Sequence, residues 1–302
     1  MKSKNSNRIK SSAWDSIFNC LNGSFMIAFA FVCLYPFIYV LALSLNEGID
    51  AQKGGIYFWP RQFSLESYSA IFKNPDILNA YSITLFRVIL GTLLSILFVA
   101  ACAYAMSRKT LPFRRFFNWM ILIPMYFSGG IIPYYLVISG LGLKDSIWVF
   151  VIPFIYSSFN IILMRTFMVQ LPESLNESAK LDGAGDFIIF TRIILPLSMP
   201  VIATVALFTA VYHWNDWYTA TVFSTGKKMW PVSTLLLNIL KSSEISSFVN
   251  TKFFMLGGRK RVVTPEALKM AMLIVTTLPI VIVYPFLQKY FVKGVMIGSL
   301  KG

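Results

Sequence analysis

The sequence predicts an all-α integral membrane protein of six spans, with a short helical segment between the fourth and the fifth. Three observations lead to it. Apolar residues make up 56% of the 302 and aromatic residues 16%, while only 13% are charged and mean hydropathy is +0.65. A soluble domain carries about 25% charged residues, so most of this chain's solvent is lipid. Second, apolar runs long enough to cross a bilayer core, about 20 residues each, recur along the chain. Third, lysines and arginines gather in short turns beside those runs, as topology signals and headgroup anchors do. One membrane domain follows, rather than the two soluble domains that length alone suggests.

The formal net charge of +14 fits the same picture. A nucleic-acid binder clusters its basic residues on a soluble face, and little soluble face exists here; no nucleic-acid partner is expected. Cys20, Cys33 and Cys102 have no metal-like spacing, and the chain has a single histidine, His213, so no metal site is expected. Neither a Ser-His-Asp set nor a Gly-rich or Walker-type phosphate loop is present. The reading is therefore of a protein that is not an enzyme and needs no cofactor.

Taken in order, residues 1–24 form a cytoplasmic leader with Lys2, Lys4, Arg8 and Lys10, in which Trp14, Ile17, Phe18 and Leu21 at helical spacing predict a short interfacial helix over Ser11–Leu21. The leader imitates a signal peptide. However, the apolar run after it, 25–45, is longer than a signal core, and no small-x-small site follows, so it reads as a retained first span. An extracellular loop, 46–79, mixes charges with Gly, Pro and aromatics. The core domain, 80–292, holds five more spans at Tyr81–Met106, Phe116–Val137, Ile147–Met164, Ile193–Phe223 and Leu268–Phe291, and 293–302 is a cytoplasmic tail.

Pro124, Pro133, Pro153, Pro279 and Pro285 predict kinks, and Gly129-Gly130 a third span that is bent or unwound. The basic leader and the turn with Arg108, Lys109, Arg114 and Arg115 place both termini in the cytoplasm. The loop 224–266, outer by this scheme, is itself basic. At roughly 40 residues it is translocated with less regard for charge.

Between the fourth and fifth spans, Pro172 suits a first helical position with Glu173 near the positive end of the dipole. Leu175, Ala179 and Leu181 give a short helix one apolar side. Gly183 allows a turn at positive φ, and Asp182 can cap the helix that resumes. The segment 171–192 thus reads as a helix–turn–helix on the cytoplasmic surface, an ordinary amphipathic loop being the plainer alternative.

Its residues carry a resemblance. Glu177-Ser-Ala179, Asp182-Gly183-Ala184 and Ile193-x-Leu195-Pro196 are similar to the EAA motif of ABC-importer permeases, with Ser178 in place of the first alanine. That resemblance implies the type I ABC importer fold, with this segment as a coupling helix docked in a separate ATPase subunit through Leu175, Glu177, Ala179, Asp182, Gly183 and Ala184. The ending Gly294-x-x-x-Gly298-x-x-Lys301-Gly302 resembles the tail of the maltose-type, binding-protein-dependent carbohydrate permeases, in which the tail reaches between the ATPases. Phe58-Trp-Pro60, Tyr68 and Trp214-Asn215-Asp216 resemble the same group. Phe127-Ser-Gly-Gly130 with Pro133-Tyr-Tyr135 resembles its aldouronate and complex-oligosaccharide branch.

The resemblance implies a permease subunit in a bacterial cytoplasmic membrane, importing oligosaccharides. Its partners would be a second homologous permease as a heterodimer, two ATPase subunits and an extracellular solute-binding lipoprotein. Polar residues inside spans are costly in lipid and are candidates for the solute path: Arg87, Tyr156, Asn160, Tyr212, Trp214, Asn215 and Asp216. Arg87 can instead snorkel to headgroups, and Trp214 and Trp217 can serve as interfacial anchors. The basic outer loop and Arg87 fit either an anionic saccharide or an acidic binding protein. Import of peptides or other small solutes on the same fold, an ion-coupled secondary transporter and a structural membrane protein are the rival readings. A secondary transporter leaves the Glu177–Pro196 segment unexplained.

Overall fold

The computed structural model describes residues 13–241 and 263–299, which are helical apart from turns and one isolated antiparallel bridge between Asn46 and Phe63. Among the described residues three helices are long and apolar enough to cross a membrane by themselves, and three bent helix pairs, each taken as one further span, bring the total to six. The chain divides into two compact units, one of residues 1–70 with 249–274 and one of 71–248 with 275–302.

The first unit contains α1 (Ala13–Ser44), α2 (Gly48–Gln52) and the start of the last helix. Helix α1 is continuous, so the expected interfacial helix over Ser11–Leu21 is not a separate element. Trp14, Phe18 and Leu21 lie on the same rod as the span, because Asn22, Gly23 and Ser24 between them stay helical and do not break it. After α1 the chain is pinned by polar contacts. Ser44 and Tyr68 share a 2.7 Å hydrogen bond, and buried Asp50 accepts from Asn46 at 3.1 Å and pairs with Arg61 at 3.5 Å. The Thr264 hydroxyl donates to the Gly48 carbonyl at 3.1 Å.

The second unit is built around α4 (Pro75–Ser107), which follows α3 (Glu66–Lys73). Asn74 caps α4 by accepting the Asp76 N–H at 2.9 Å, with Pro75 at the first helical position, so this span begins ahead of the expected Tyr81. The third span is α5 (Arg114–Tyr126) and α6 (Ile131–Gly140), bent by 116°. The break falls at Gly129-Gly130, as expected, and Gly130 sits at φ +83 and ψ 179, a conformation nearly restricted to glycine. Asp145 then folds back on the chain: its carboxylate accepts the Thr225 N–H at 2.6 Å and hydroxyl at 2.8 Å, which holds its pKa below the usual carboxylate value.

The fourth span is interrupted near Pro153, where a kink was expected, and the fifth differs from the continuous helix expected. The fourth begins as two 3-10 turns, Ile147–Phe150 and Ile152–Phe154, and becomes α7 (Ser158–Val169) after a 44° bend. Pro153 and the Ser157 cap divide it. After α8 (Ser174–Leu181) and α9 (Asp186–Ile189), the fifth passes through a π-helical turn, Phe190–Ile194, and the single turn α10 (Leu195–Leu197). It then bends by 79° into α11 (Met199–Asn215), and α12 (Tyr218–Phe223) follows a second break. Pro196 and Pro200, which lack N–H donors, flank the 79° bend. Helix α13 (Val232–Lys241) lies in the loop after the fifth span, and that loop's lysines at 252 and 260 and arginines at 259 and 261 fall outside the described residues.

The last helix, α14 (Pro265–Ser299), runs as one helix through Pro279 and Pro285 and takes in most of the expected tail, so Gly298 is helical. Lys301 and Gly302 lie outside the described residues.

Helix α4 packs most extensively against α11 and α7. In lipid such packing rests on van der Waals contact, which favours small residues at the crossing. Ala100 and Ala103 of α4 are buried among Met164 and Ile161 of α7 and Val201 and Val205 of α11. Gly91 allows the closest approach. A Cβ there would lie 2.4 Å from the His213 Nε2, so α4 and α11 meet through a missing side chain.

Candidate functional site

Two features could do work in this fold: the segment between α7 and α11, and a polar seam between α4 and α11. The segment is shaped by the backbone. At the end of α8 the Ala184 N–H donates to the Ala179 carbonyl at 2.9 Å and the Gly183 N–H to Lys180 at 3.0 Å, with Gly183 at φ +78. This paired closure is a Schellman motif, and a left-handed glycine is what it requires. Asp182 is therefore the C-cap of α8, and it does not cap the helix that resumes. Gly185 precedes α9 instead, without a side-chain cap. Helix α8 begins at Ser174, so Pro172 stands just outside its first turn rather than in it.

The motif sorts the resemblance-derived contact residues into two sets. Glu177, Asp182 and Gly183 are exposed, Leu175 and Leu181 with them, and Leu181 reaches 88% exposure. Ala179 and Ala184 point the other way. Ala179 is 8% exposed and both pack on the core with Met106, Met168 and Ile189. Ala179, expected as a partner contact, packs on its own bundle.

Further ties were not read from the sequence. Lys109 donates to Glu173 at 2.6 Å, which holds the Glu173 carboxyl below its ordinary pKa and raises that of Lys109. Lys180 pairs with Asp186 at 3.3 Å. Lys109 had shown only as one charge of a basic turn, because its partner lies 64 residues away.

The seam gathers the intramembrane polar residues. Arg87 is fully buried. Its guanidinium donates to the Asp216 carboxylate and, at 2.9 Å, to the Asp216 carbonyl, and it lies 5.0 Å from the centre of the Phe150 ring. The other oxygen of Asp216 accepts the N–H groups of Tyr218 at 3.0 Å and Thr219 at 3.1 Å, capping α12. Ser233 of α13 donates to the Asp216 carbonyl, and Thr84 of α4 accepts the Val232 N–H, both at 2.9 Å. Arg87 and Asp216 thus neutralise each other and tie α4 to the break between α11 and α12. Neither presents a free charge to a solute, and snorkelling does not describe Arg87.

The remaining path candidates separate. The Trp214 indole donates to the Thr276 carbonyl at 3.1 Å, and its ring meets Tyr81 edge-on, so it staples helices together. Asn215 is exposed at the end of α11. Tyr156, Asn160 and Tyr212 are brought together around a cavity of about 290 Å³, joined by Ser95, Ser157, Phe154, Phe208 and Thr209. Asn160 donates to Thr209 at 3.3 Å and Tyr156 shares a 2.7 Å hydrogen bond with Ser158. The lining is neutral: hydroxyls, an amide and aromatic faces. Ser95 was missed because a serine on an apolar helix carries little signal by itself.

A multi-pass protein with three broken spans, a projecting helix and a neutral polar cavity belongs to the class of solute permeases rather than enzymes. The chain belongs to the family described as binding-protein-dependent transport system inner membrane component, which matches residues 91–297. It is 38% identical over 287 residues to the polygalacturonan/rhamnogalacturonan transport system permease protein YtcP of Bacillus subtilis (strain 168), covering 95% of this chain and 99% of that one. Protein LplC of the same organism is 35% identical over 287 residues, covering 95% of each. Among solved structures, one described as a bacterial ABC transporter involved in the import of the acidic polysaccharide alginate superposes with a TM-score of 0.86 at 29% identity, over 93% of this chain and 99% of that one. The fold is the type I importer fold, and the chain is a multi-pass membrane permease subunit.

Proposed function

We propose that this permease imports acidic, uronate-bearing oligosaccharides as one half of a two-permease pathway. An extracellular binding lipoprotein feeds it, and two ATPase subunits grip the α8–Gly183–α9 segment from the cytoplasm. Both termini and that segment are cytoplasmic in this reading, and the loop carrying α13 is outer. The observation that carries it is the projecting segment. Leu175, Glu177, Leu181, Asp182 and Gly183 are exposed on one side, while Ala179 and Ala184 bind it to the bundle on the other. A lever needs that arrangement, free at the point of load and fixed at the other side. ATP binding draws the ATPases together, and the segment carries that movement into the spans. Reversing a two-state population from 1:99 to 99:1 takes about 5.5 kcal/mol of differential binding, within reach of nucleotide binding.

The saccharide class rests on relatives whose names carry polygalacturonan and an acidic polysaccharide. The cavity suits sugar rings, since Tyr212, Phe154 and Phe208 offer faces for C–H surfaces while Asn160, Ser157 and Thr209 offer hydrogen bonds. Arg87 is already paired, so attraction for carboxylates falls to exposed lysines such as Lys144, Lys227 and Lys228.

The test uses the whole complex in proteoliposomes with its binding protein, comparing galacturonate and neutral oligosaccharides of equal length. Uronate-stimulated ATPase and uptake are expected, with Gly183→Trp losing both while the complex still assembles. Nothing lies within 4 Å of a Cβ at Gly183, and the left-handed backbone there adds a penalty of about 1–2 kcal/mol. Normal uptake by Gly183→Trp would sink the coupling role. Equal stimulation by neutral sugars would remove the uronate claim.

A further inference from the structure

The coupling segment is joined by the chain to α7 and α11, yet the helix most deeply engaged with both is α4, which has no covalent link to it. The route toward α11 is also poorly suited to push. It passes through the π-helical turn Phe190–Ile194, where the Leu195 N–H reaches back to the Phe190 carbonyl, and then the 79° bend. A π turn interrupts the regular ladder and is common where a helix must adjust. Force carried along the backbone would be absorbed there.

A side-chain bracket bypasses that joint. Tyr104, in the last turn of α4, stacks on Phe190 with ring centres 4.9 Å apart and donates its hydroxyl to the Asp186 carbonyl at 3.3 Å. The Arg108 guanidinium covers the Tyr104 ring at 4.2 Å. One step further, Lys109 holds Glu173 just ahead of α8, and Lys180 of α8 holds Asp186 of α9. The end of α4 therefore grips the segment at both of its ends, before α8 and across α9.

We infer that Tyr104 is a positioning residue for transport: with Arg108 and Lys109 it clamps α4 to the α8–α9 segment, so that the ATPase stroke moves α4 directly and with it the Ser95 wall of the cavity. This rests on the coupling role proposed above. The bracket accounts for a feature otherwise left idle, an aromatic pair and one ion pair at the end of α4 that meets the segment, with a second ion pair inside the segment. Exposed ion pairs contribute only about 0–1 kcal/mol to stability, so a role in placement suits Lys109–Glu173 better than a role in folding.

The experiment reads the cavity wall itself. Ser95→Cys, in a background with Cys20, Cys33 and Cys102 changed to serine, is labelled by a methanethiosulfonate reagent in the assembled complex, with and without ATP and vanadate. The labelling rate is expected to change with nucleotide. In Tyr104→Ala that change should shrink about fivefold or more, a loss at the lower end of ordinary coupling free energies. Tyr104→Phe, which keeps the stack and loses only the hydroxyl bond, should retain most of it. As a second pair of variants, Lys109→Glu should reduce the change and Lys109→Glu with Glu173→Lys should restore it. If Tyr104→Ala and Lys109→Glu both respond as the parent while Gly183→Trp does not, the bracket is overturned and the coupling role stands. If Gly183→Trp also responds normally, both fall together.

Discussion

Arg87 and Asp216 are separated by 129 residues and meet in the interior with side chains 0% and 6% exposed. A buried pair of this kind is weak evidence for stability, but removing one partner strands the other, at about 3–5 kcal/mol. Arg87→Met should therefore lower the melting temperature of the purified protein sharply. Adding Asp216→Asn should recover much of the loss, because asparagine keeps an acceptor for the Tyr218 and Thr219 N–H groups and carries no charge. A double variant no more stable than Arg87→Met would contradict this account. Both residues stood out in the sequence as charges in apolar runs, and their cost was legible. Their pairing was not, since nothing local links the middle of α4 to the break after α11. His213 had a similar fate. It was read as a lone histidine, and its place against Gly91 became visible only when the two helices were brought together.

At the scale of elements, the positions of the spans followed from hydropathy, while their interruptions followed only where the residue responsible is conspicuous. Gly129-Gly130 announced the 116° break between α5 and α6. The two glycines have different roles there. Gly130 occupies φ +83, and alanine at that position should cost about 1–3 kcal/mol. A Cβ on Gly129 would meet Pro133 at an ordinary 3.7 Å, so Gly129→Ala should be near neutral. Thermal denaturation of the two variants separates them, and equal melting temperatures would disprove the distinction. The 79° bend was harder to foresee. Pro196 and Pro200 were in view, but a proline in a span can equally be absorbed without a break, as Pro279 and Pro285 are within α14. The closure of α8 was half legible. Gly183 was read as a left-handed turn, yet Asp182 was assigned to the following helix, because a capping aspartate looks alike from either side until the backbone bonds are placed.

For the molecule as a whole, composition and the Glu177–Pro196 segment sufficed for the fold and the class of transporter. The cavity required three-dimensional assembly, because its walls come from α4, α7 and α11, and none of its polar residues is unusual alone. One feature of the segment bears on how such a chain survives before assembly. Leu181 stands 88% exposed beside Glu177 and Asp182, a leucine held out in water on a rigid turn. Made in excess of the ATPase proposed above, the subunit would display a handle of the kind that chaperones and membrane proteases recognise. Pulse-chase labelling should therefore show a short cellular half-life for the subunit made alone, extended by co-expression of the ATPase. Leu181→Gln should lengthen the half-life of the lone subunit and weaken that dependence; an unchanged half-life would assign turnover to another part of the chain. Under the coupling role proposed above, Leu181 would both meet the ATPase and keep unassembled copies from accumulating.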